Sequence, residues 1–448
     1  MSLPDNRPAV SRGQAFIASA GLSILFIIVY GGCNWITSQR SDAGTLYFEW
    51  ERHIPFVPFF IIPYLSIDLF FITAPFLCRN REELGLFCRR VTAAILIAGI
   101  CFLLMPLRFA FARPFFPGWI GTAFDWFRFL DAPYNLVPSL HAALLLFLFD
   151  VYERNLRGAL RWIVLAWLVL IGLSPVLTYQ HHVVDIVTGF VLAGYCFYFW
   201  GAPVPLLPVT RNPRIGAYYL AGALLFLLVA WVERPAGVLL LWLIISLVIV
   251  GRACLGAGPG VFRKRSGKIP WSTRLVLGPC LIGQYLSLIY YERKCRRWDE
   301  MTPCLLIGRH LREREAEKAV RAGVTAVLDL TAEFSETEAF LSVDYRNIPI
   351  LDLTAPTTAQ LAEMADFISD HSREGIVYVH CKIGYSRSAA AVIAGLLTSG
   401  AVEDVTQGIA HLRKVRPSVI IRPEIVAALL AFERERSNGS VLAGRGES

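Results

Sequence analysis

The sequence predicts a two-part chain. An all-α polytopic transmembrane bundle of about eight spans is followed by an α/β domain on a central, mostly parallel sheet. Three observations predict it. The chain has 448 residues, more than one compact core accommodates. It is 55% hydrophobic with a mean hydropathy of +0.51, too apolar for an ordinary soluble enzyme. Its apolar residues fall in runs of spanning length as far as residue 251, and strand-length runs and amphipathic segments follow from residue 301.

The elements follow in order. Residues 1–14 are a polar segment with Arg7 and Arg12. The expected spans are 15–36, 54–77, 91–112, 137–152, 160–178, 183–200, 216–232 and 236–251, within a membrane domain of residues 15–251. Alternate loops hold Arg79, Arg81, Arg89 and Arg90, then Arg154, Arg157 and Arg161, then Arg211 and Arg214. The loops between them are poorer in arginine, so the positive-inside rule puts the N-terminus in the cytoplasm. An even span count then places the C-terminal domain there too. Residues 252–300 read as a basic interfacial linker, because 275–291 is apolar but has basic flanks on both sides.

Residues 301–436 have the texture of an α/β domain. Runs 304–307, 324–330, 345–351 and 376–379 read as strands, and 312–322, 358–371, 405–413 and 423–436 as helices. Residues 437–448 read as a disordered tail. The net charge of +8 suits a protein that meets anionic membrane lipids. Nucleic acid is not an expected partner, since the basic residues lie in loops between apolar runs. The ten cysteines show no paired spacing, so neither a disulfide framework nor a metal site is expected, and no cofactor.

One stretch carries chemistry outright: Val379-His380-Cys381-Lys382-Ile383-Gly384-Tyr385-Ser386-Arg387-Ser388. A strand-like run enters it and a small-residue helix leaves it. Amides of such a loop, from Lys382, Ile383, Gly384, Tyr385 and Ser386, point inward with the helix N-terminus and cradle an anion. The same cradle favours a thiolate at Cys381. Arg387 can grip two phosphate oxygens in a bidentate fork, and Ser388 can steady the sulfur as it leaves. The plainer account is a buried structural cysteine with an arginine near a helix start.

This stretch resembles the HCxxGxxR[ST] loop of the protein tyrosine phosphatase superfamily, and among its branches the short dual-specificity phosphatases. The resemblance implies a cysteinyl-phosphate intermediate and a general acid on an upstream loop. Asp352, after the strand ending at Leu351, fits that place, with Asp329 as the alternative. Lysine directly after the cysteine is similar to the branch that dephosphorylates phosphatidylglycerophosphate, which implies a lipid phosphate rather than a phosphoprotein.

A second constellation lies in the membrane half. It consists of Arg113-Pro114, Pro138-Ser139-Leu140-His141 and His181-His182-Val183-Val184-Asp185, all on the outer face in the expected topology. Asp185 lies four residues after His181, on one face of a starting helix, and can fix its imidazole. His141 can give a proton to a leaving oxygen, and Arg113 with the backbone near Ser139 can neutralise phosphate. These stretches resemble the three motifs of the type 2 phosphatidic acid phosphatase superfamily over residues 56–200, nearest its inositol-phosphorylceramide synthase branch. Two cations of that pattern are replaced, by Pro106 and Pro175. The plainer account is that the three polar residues glue helices together.

Together the resemblances imply a bacterial inner-membrane fusion, a phosphoric monoester hydrolase acting on phospholipid or lipid-like phosphates. The alternatives are a protein phosphatase anchored by an inactive bundle, and a lipid-binding transporter or scaffold.

Overall fold

Apolar runs fold as helices because hydrocarbon offers no partner to a free amide. The structure, a computed structural model, describes residues 8–112, 114–130, 134–201, 210–233 and 236–443. It divides into two compact units. One comprises residues 1–202 and 229–240, the other 203–228 and 241–448.

The first unit is helical: Arg12–Phe26, continuing through a wider turn into Gly32–Ser38, then Ile61–Leu77, Arg81–Leu104, Gly118–Leu130, Leu140–Asn155, Gly158–Leu177 and Val183–Phe199. Among the described residues six helices are long and apolar enough to cross a membrane, where eight spans are expected. The two that fall short are Leu140–Asn155, whose last turns carry Asp150, Glu153 and Arg154, and Val183–Phe199, with 17 residues. The third expected span, 91–112, begins a full ten residues earlier. Asn80 caps the helix by accepting from the Glu83 amide at 2.9 Å, and Pro106 follows its end at Leu104. Gly118–Leu130 is a helix that hydropathy alone does not reveal.

The second unit holds a five-stranded sheet: β1 (Trp298–Thr302), β2 (Leu305–Arg309), β3 (Val324–Thr331), β4 (Asp344–Ile350) and β5 (Ile376–Cys381), in the order β1-β2-β5-β3-β4. Only the β1–β2 pair is antiparallel. The central strand β5 is apolar over Ile376–Val379 and nearly wholly buried, as a strand covered on both faces must be. Strand β1 is new to the sequence reading, because Trp298-Asp299-Glu300 shows too little apolar pattern.

Helix Ser386–Thr398 leaves the end of β5 and is buried from Arg387 to Leu397. Its small face permits this: a side chain at Gly395 would press on Ile368 at 3.0 Å. Thr357 and Gln360 form a reciprocal cap on Thr358–His371. The last helix runs from Pro423 to Ala443, past the expected start of a disordered tail at 437. Ser437 donates its hydroxyl to the Glu433 carbonyl one turn earlier, at 3.0 Å.

Two features of this unit differ from the expected layout. Most of the apolar helices Pro213–Val232 and Val238–Arg252 group with the five-stranded sheet. The expected basic linker is built into the domain, and its cations meet carboxylates there. Lys264 pairs with buried Asp329, Lys268 with Glu338 at 2.7 Å, and Arg297 with Glu315 at 2.7 Å. Helix Gly278–Glu292, at 15 residues, packs its Leu288 on Ile383 and Phe334.

Candidate active site

Strand β5 delivers Cys381 to the carboxyl edge of the sheet, and the chain turns through 382–385 into helix Ser386–Thr398. The turn needs glycine at 384. Its φ is +76°, and a Cβ there would lie 2.4 Å from the Gly308 carbonyl oxygen. Arg416, almost wholly buried, holds the loop from behind. Its Nε donates to the Gly384 carbonyl at 3.0 Å, Nη2 to that of Ile383 at 3.1 Å, and Nη1 to Asp299 at 2.6 Å. With carbonyls drawn outward, the amides are left to face the anion site.

Inside this cradle Cys381 is 3% exposed. Burial works to raise its pKa. The Arg387 charge, the Ser388 hydroxyl and the Ser388 and Ile383 amides outweigh burial and bring the thiol below its ordinary value. Ser388 Oγ is buried with no oxygen or nitrogen partner, which leaves it to the sulfur. His380 sits behind the cysteine. Burial lowers its pKa, but Glu336, 3.0 Å away, and Asp329 raise it overall.

Arg387 is placed by its neighbours. Nη2 donates to Glu333 Oε1 at 2.7 Å and Nη1 to Oε2 at 3.1 Å, while Nη1 also meets the Ile350 carbonyl at 2.9 Å. This two-pronged clamp fixes the plane of the guanidinium. Asp352 lies across the mouth, with Oδ1 3.2 Å from Arg387 and Oδ2 2.6 Å from Lys382 Nζ. Burial raises its pKa, yet Arg387 and Lys382 hold it below the usual carboxylate range. Lys382 also donates to Gln284 Oε1 at 2.8 Å. Tyr385 starts the helix, and Ser386 turns its hydroxyl away to the Ile420 carbonyl. Asp329, the alternative acid, is instead consumed in a buried network with Lys264, Thr331 and Tyr345.

The geometry thus joins a lowered thiol, a clamped arginine and a carboxylate over one anion cradle. The family described as "Dual specificity phosphatase, catalytic domain" matches residues 311–435. Residues 311–435 are a dual-specificity phosphatase domain. Dual specificity protein phosphatase 19 of Mus musculus is 32% identical over 143 residues, covering 31% of this chain and 63% of that protein. Phosphatidylglycerophosphate phosphatase PTPMT2 of Arabidopsis thaliana is 27% identical over 166 residues, covering 34% of this chain and 72% of that protein. Among solved structures, Tk-PTP in its active form is 26% identical and is covered to 97%, with 31% of this chain and a TM-score of 0.29. PTPMT1 in complex with PI(5)P is 23% identical and is covered to 99%, with 32% of this chain and a TM-score of 0.30.

Three supports of this phosphatase domain escaped the sequence reading: Glu333, Arg416 and Gly308. Each is remote in sequence from Cys381, and its residue type alone signals nothing. Glu333 had a partial signal, since a dual-specificity arginine buried beside a thiolate needs a counter-charge. His310 is half-buried and stacks on Phe334 beside His380.

In the first unit the structure brings most of the second constellation together. Ser139 caps helix Leu140–Asn155, and its amide donates to the Asp185 carbonyl at 3.0 Å. His181 Nδ1 lies 3.3 Å from Asp185 Oδ2, which also accepts from the His182 amide at 2.8 Å. His141 stacks on Tyr64 and places Nε2 3.1 Å from the Ile171 carbonyl. Gly189 permits the approach, since a Cβ there would meet the Ser139 carbonyl oxygen at 2.4 Å. Arg113 lies outside the described residues. The sequence reading missed Glu51, whose Oε2 meets His182 Nδ1 at 3.0 Å and the Val183 amide at 3.1 Å. His182 Nε2 accepts from the Ala110 amide at 3.1 Å, so both its ring nitrogens are occupied structurally.

Proposed function

We propose that the chain is a membrane-bound phosphatase that removes phosphate from phospholipids or lipid-like phosphomonoesters at Cys381. The observation that carries this is the acid loop: Asn212, the residue before helix Pro213–Val232, donates through Nδ2 to the Leu353 carbonyl beside Asp352 at 2.7 Å. A catalytic loop tied to the end of a spanning-length helix suits a substrate that lives in the bilayer. Further support comes from Lys382 after the cysteine, and from the likeness to the Arabidopsis phosphatidylglycerophosphate phosphatase.

The chemistry runs in two steps. The Cys381 thiolate attacks phosphorus, an S–P bond forms and the ester P–O bond breaks, while Asp352 protonates the departing oxygen. Arg387 and the loop amides hold the three equatorial oxygens. Water then attacks the cysteinyl phosphate, Asp352 takes its proton, and Ser388 receives the returning thiolate. Binding of a phosphate dianion draws Arg387 and Lys382 away from Asp352, which raises its pKa and lets it carry the proton it must give. The test is turnover by purified full-length protein of a panel of phosphorylated lipids and phosphotyrosine peptides. A strong preference for the peptides would favour a membrane-anchored protein phosphatase.

A second reading concerns the first unit. The pairing of His181 with Asp185, near His141 and Ser139, supports a phosphotransferase in which His181 attacks phosphorus and His141 protonates the leaving group. Lipid phosphotransfer that survives in Cys381→Ser but vanishes in His181→Ala is the expected result. Lipid binding with no transfer in either protein would make the unit a scaffold. Loop arginines and an even number of spans support a cytoplasmic phosphatase domain, which a cytoplasm-only reporter fused after Glu435 would test.

A further inference from the structure

The Asp352 loop has neighbours that the chemistry at sulfur does not use. Thr210 Oγ1 donates to the Ala355 carbonyl, and Asn212 Nδ2 to that of Leu353 at 2.7 Å. Residues 210–212 therefore run along the acid loop, with Arg211 between the two anchors. The Asn212 amide also donates to the Cys254 carbonyl at 2.9 Å, which brings in the turn after helix Val238–Arg252. Arg211 and Arg252, with Leu255, Gly256 and Ala257, line a cavity of about 410 Å³. That is the size of a small-molecule site.

Its construction suits an anion. Gly256 has a φ of +142°, and a Cβ there would meet Arg211 Nε at 3.2 Å, so the backbone lies close along the guanidinium. Among the described residues neither Arg211 nor Arg252 has an ion-pair or hydrogen-bond partner, unlike Arg387, Arg416, Lys264 or Lys382 in the same unit. Two unpaired like charges facing one cavity repel each other until an anion joins them. Arg211 precedes one apolar helix and Arg252 ends the other. These helices pack closely through Gly216 against Leu255 and Gly251 against Leu220, so both arginines stand at the same end of the pair. That is where a spanning pair meets lipid headgroups.

We propose that Arg211 and Arg252 form a subsite for the phosphodiester of the substrate lipid, while its terminal phosphomonoester occupies the Cys381 cradle. This rests on the lipid-phosphatase reading above and narrows it. The favoured substrate is a glycerophospholipid whose headgroup carries a phosphomonoester beyond the diester. A lipid whose phosphate is attached directly to diacylglycerol has no second phosphate to offer. The diester of a neighbouring anionic lipid has the same chemistry, and the test separates the two.

The test uses the full chain in neutral detergent micelles, with the substrate as the only anionic lipid. Phosphatidylglycerophosphate and phosphatidic acid with the same acyl chains are compared in wild type and in R211Q/R252Q. The ratio of kcat/KM for the first over the second should fall roughly tenfold to a hundredfold, the worth of one or two charge-assisted contacts. R211K/R252K should recover part of it. An unchanged ratio overturns the subsite. A ratio that falls only once phosphatidylglycerol is added assigns the cavity to a neighbouring lipid and also overturns it. If wild type cleaves neither lipid, the lipid-phosphatase reading fails by itself. The subsite is then judged by dihexanoyl phosphatidylglycerophosphate as an inhibitor of p-nitrophenyl phosphate hydrolysis. A Ki raised in R211Q/R252Q upholds it, and an equal Ki or no inhibition removes it.

Discussion

The surroundings of Cys381 and of His181 are built differently. Around Cys381 the charges are dense and opposed: Arg387 is clamped by Glu333, and Lys382 is bridged to Asp352. Around His181 the described partners are imidazoles and carboxylates, with Asp185 and Glu51 each holding one ring. A cationic cradle stabilises a dianion and a thiolate together. A histidine–carboxylate cluster raises the basicity of a nitrogen nucleophile but leaves the phosphate charge to groups supplied from elsewhere. The comparison teaches that the local field decides which nucleophile a pocket can support. A thiol at neutral pH needs fixed positive charge, whereas an imidazole needs only an oriented acceptor.

The largest effect that can break this comparison is at the nucleophiles. Cys381→Ser should lower p-nitrophenyl phosphate turnover on the order of ten-thousandfold or more, with the fold intact by circular dichroism. Turnover near wild type in that protein removes the cysteine mechanism. If lipid phosphotransfer also disappears, the two sites are not chemically separate.

Next is the clamp. Glu333→Ala leaves Arg387 as a buried charge without its bidentate partner, both side chains being 2% exposed. Stability should fall by about 3–5 kcal/mol, read from urea unfolding of the phosphatase unit's signal. Phosphate or vanadate should restore part of it by taking over the guanidinium. A loss below about 1 kcal/mol would make the pair an ordinary surface contact.

A smaller effect sharpens the role of the acid. Asp352→Asn should slow alkyl phosphates roughly a hundredfold or more, and p-nitrophenyl phosphate far less, because the activated phenolate hardly needs a proton. Equal losses on both would mean that Asp352 only positions Lys382 and Arg387.

The smallest is a shift of pH profile. Asp352 is held below its ordinary pKa by Arg387 and Lys382, so its protonated form declines early as pH rises. Removing one cation in Lys382→Met raises that pKa, and the limb of kcat/KM set by Asp352 should move to higher pH. The limb set by Cys381, whose lowered pKa owes most to Arg387 and Ser388, should move less. A profile in which neither limb moves would assign the acid role to another group.

Local pattern determined a good deal of this protein by itself. The phosphate loop was legible because its residues are contiguous, and a strand–turn–helix context follows from Ile376–Val379 and Ala389–Leu397 on either side. Helix Thr358–His371 was read to the residue, since its capping pair and apolar period are local. Tertiary structure alone decided Glu333, Arg416 and Gly308, which reach the loop from distant parts of the chain. It also decided the fate of Lys264 and Lys268, which have the composition of a headgroup-binding linker but find carboxylates of the same unit nearer. Charge is readable from sequence, but its partner is not, because a Coulomb interaction depends on a distance that only folding sets. The same reason separates His181 from His182. Adjacent and identical in type, they differ in that Glu51 and the Ala110 amide occupy one ring, while Asp185 orients the other.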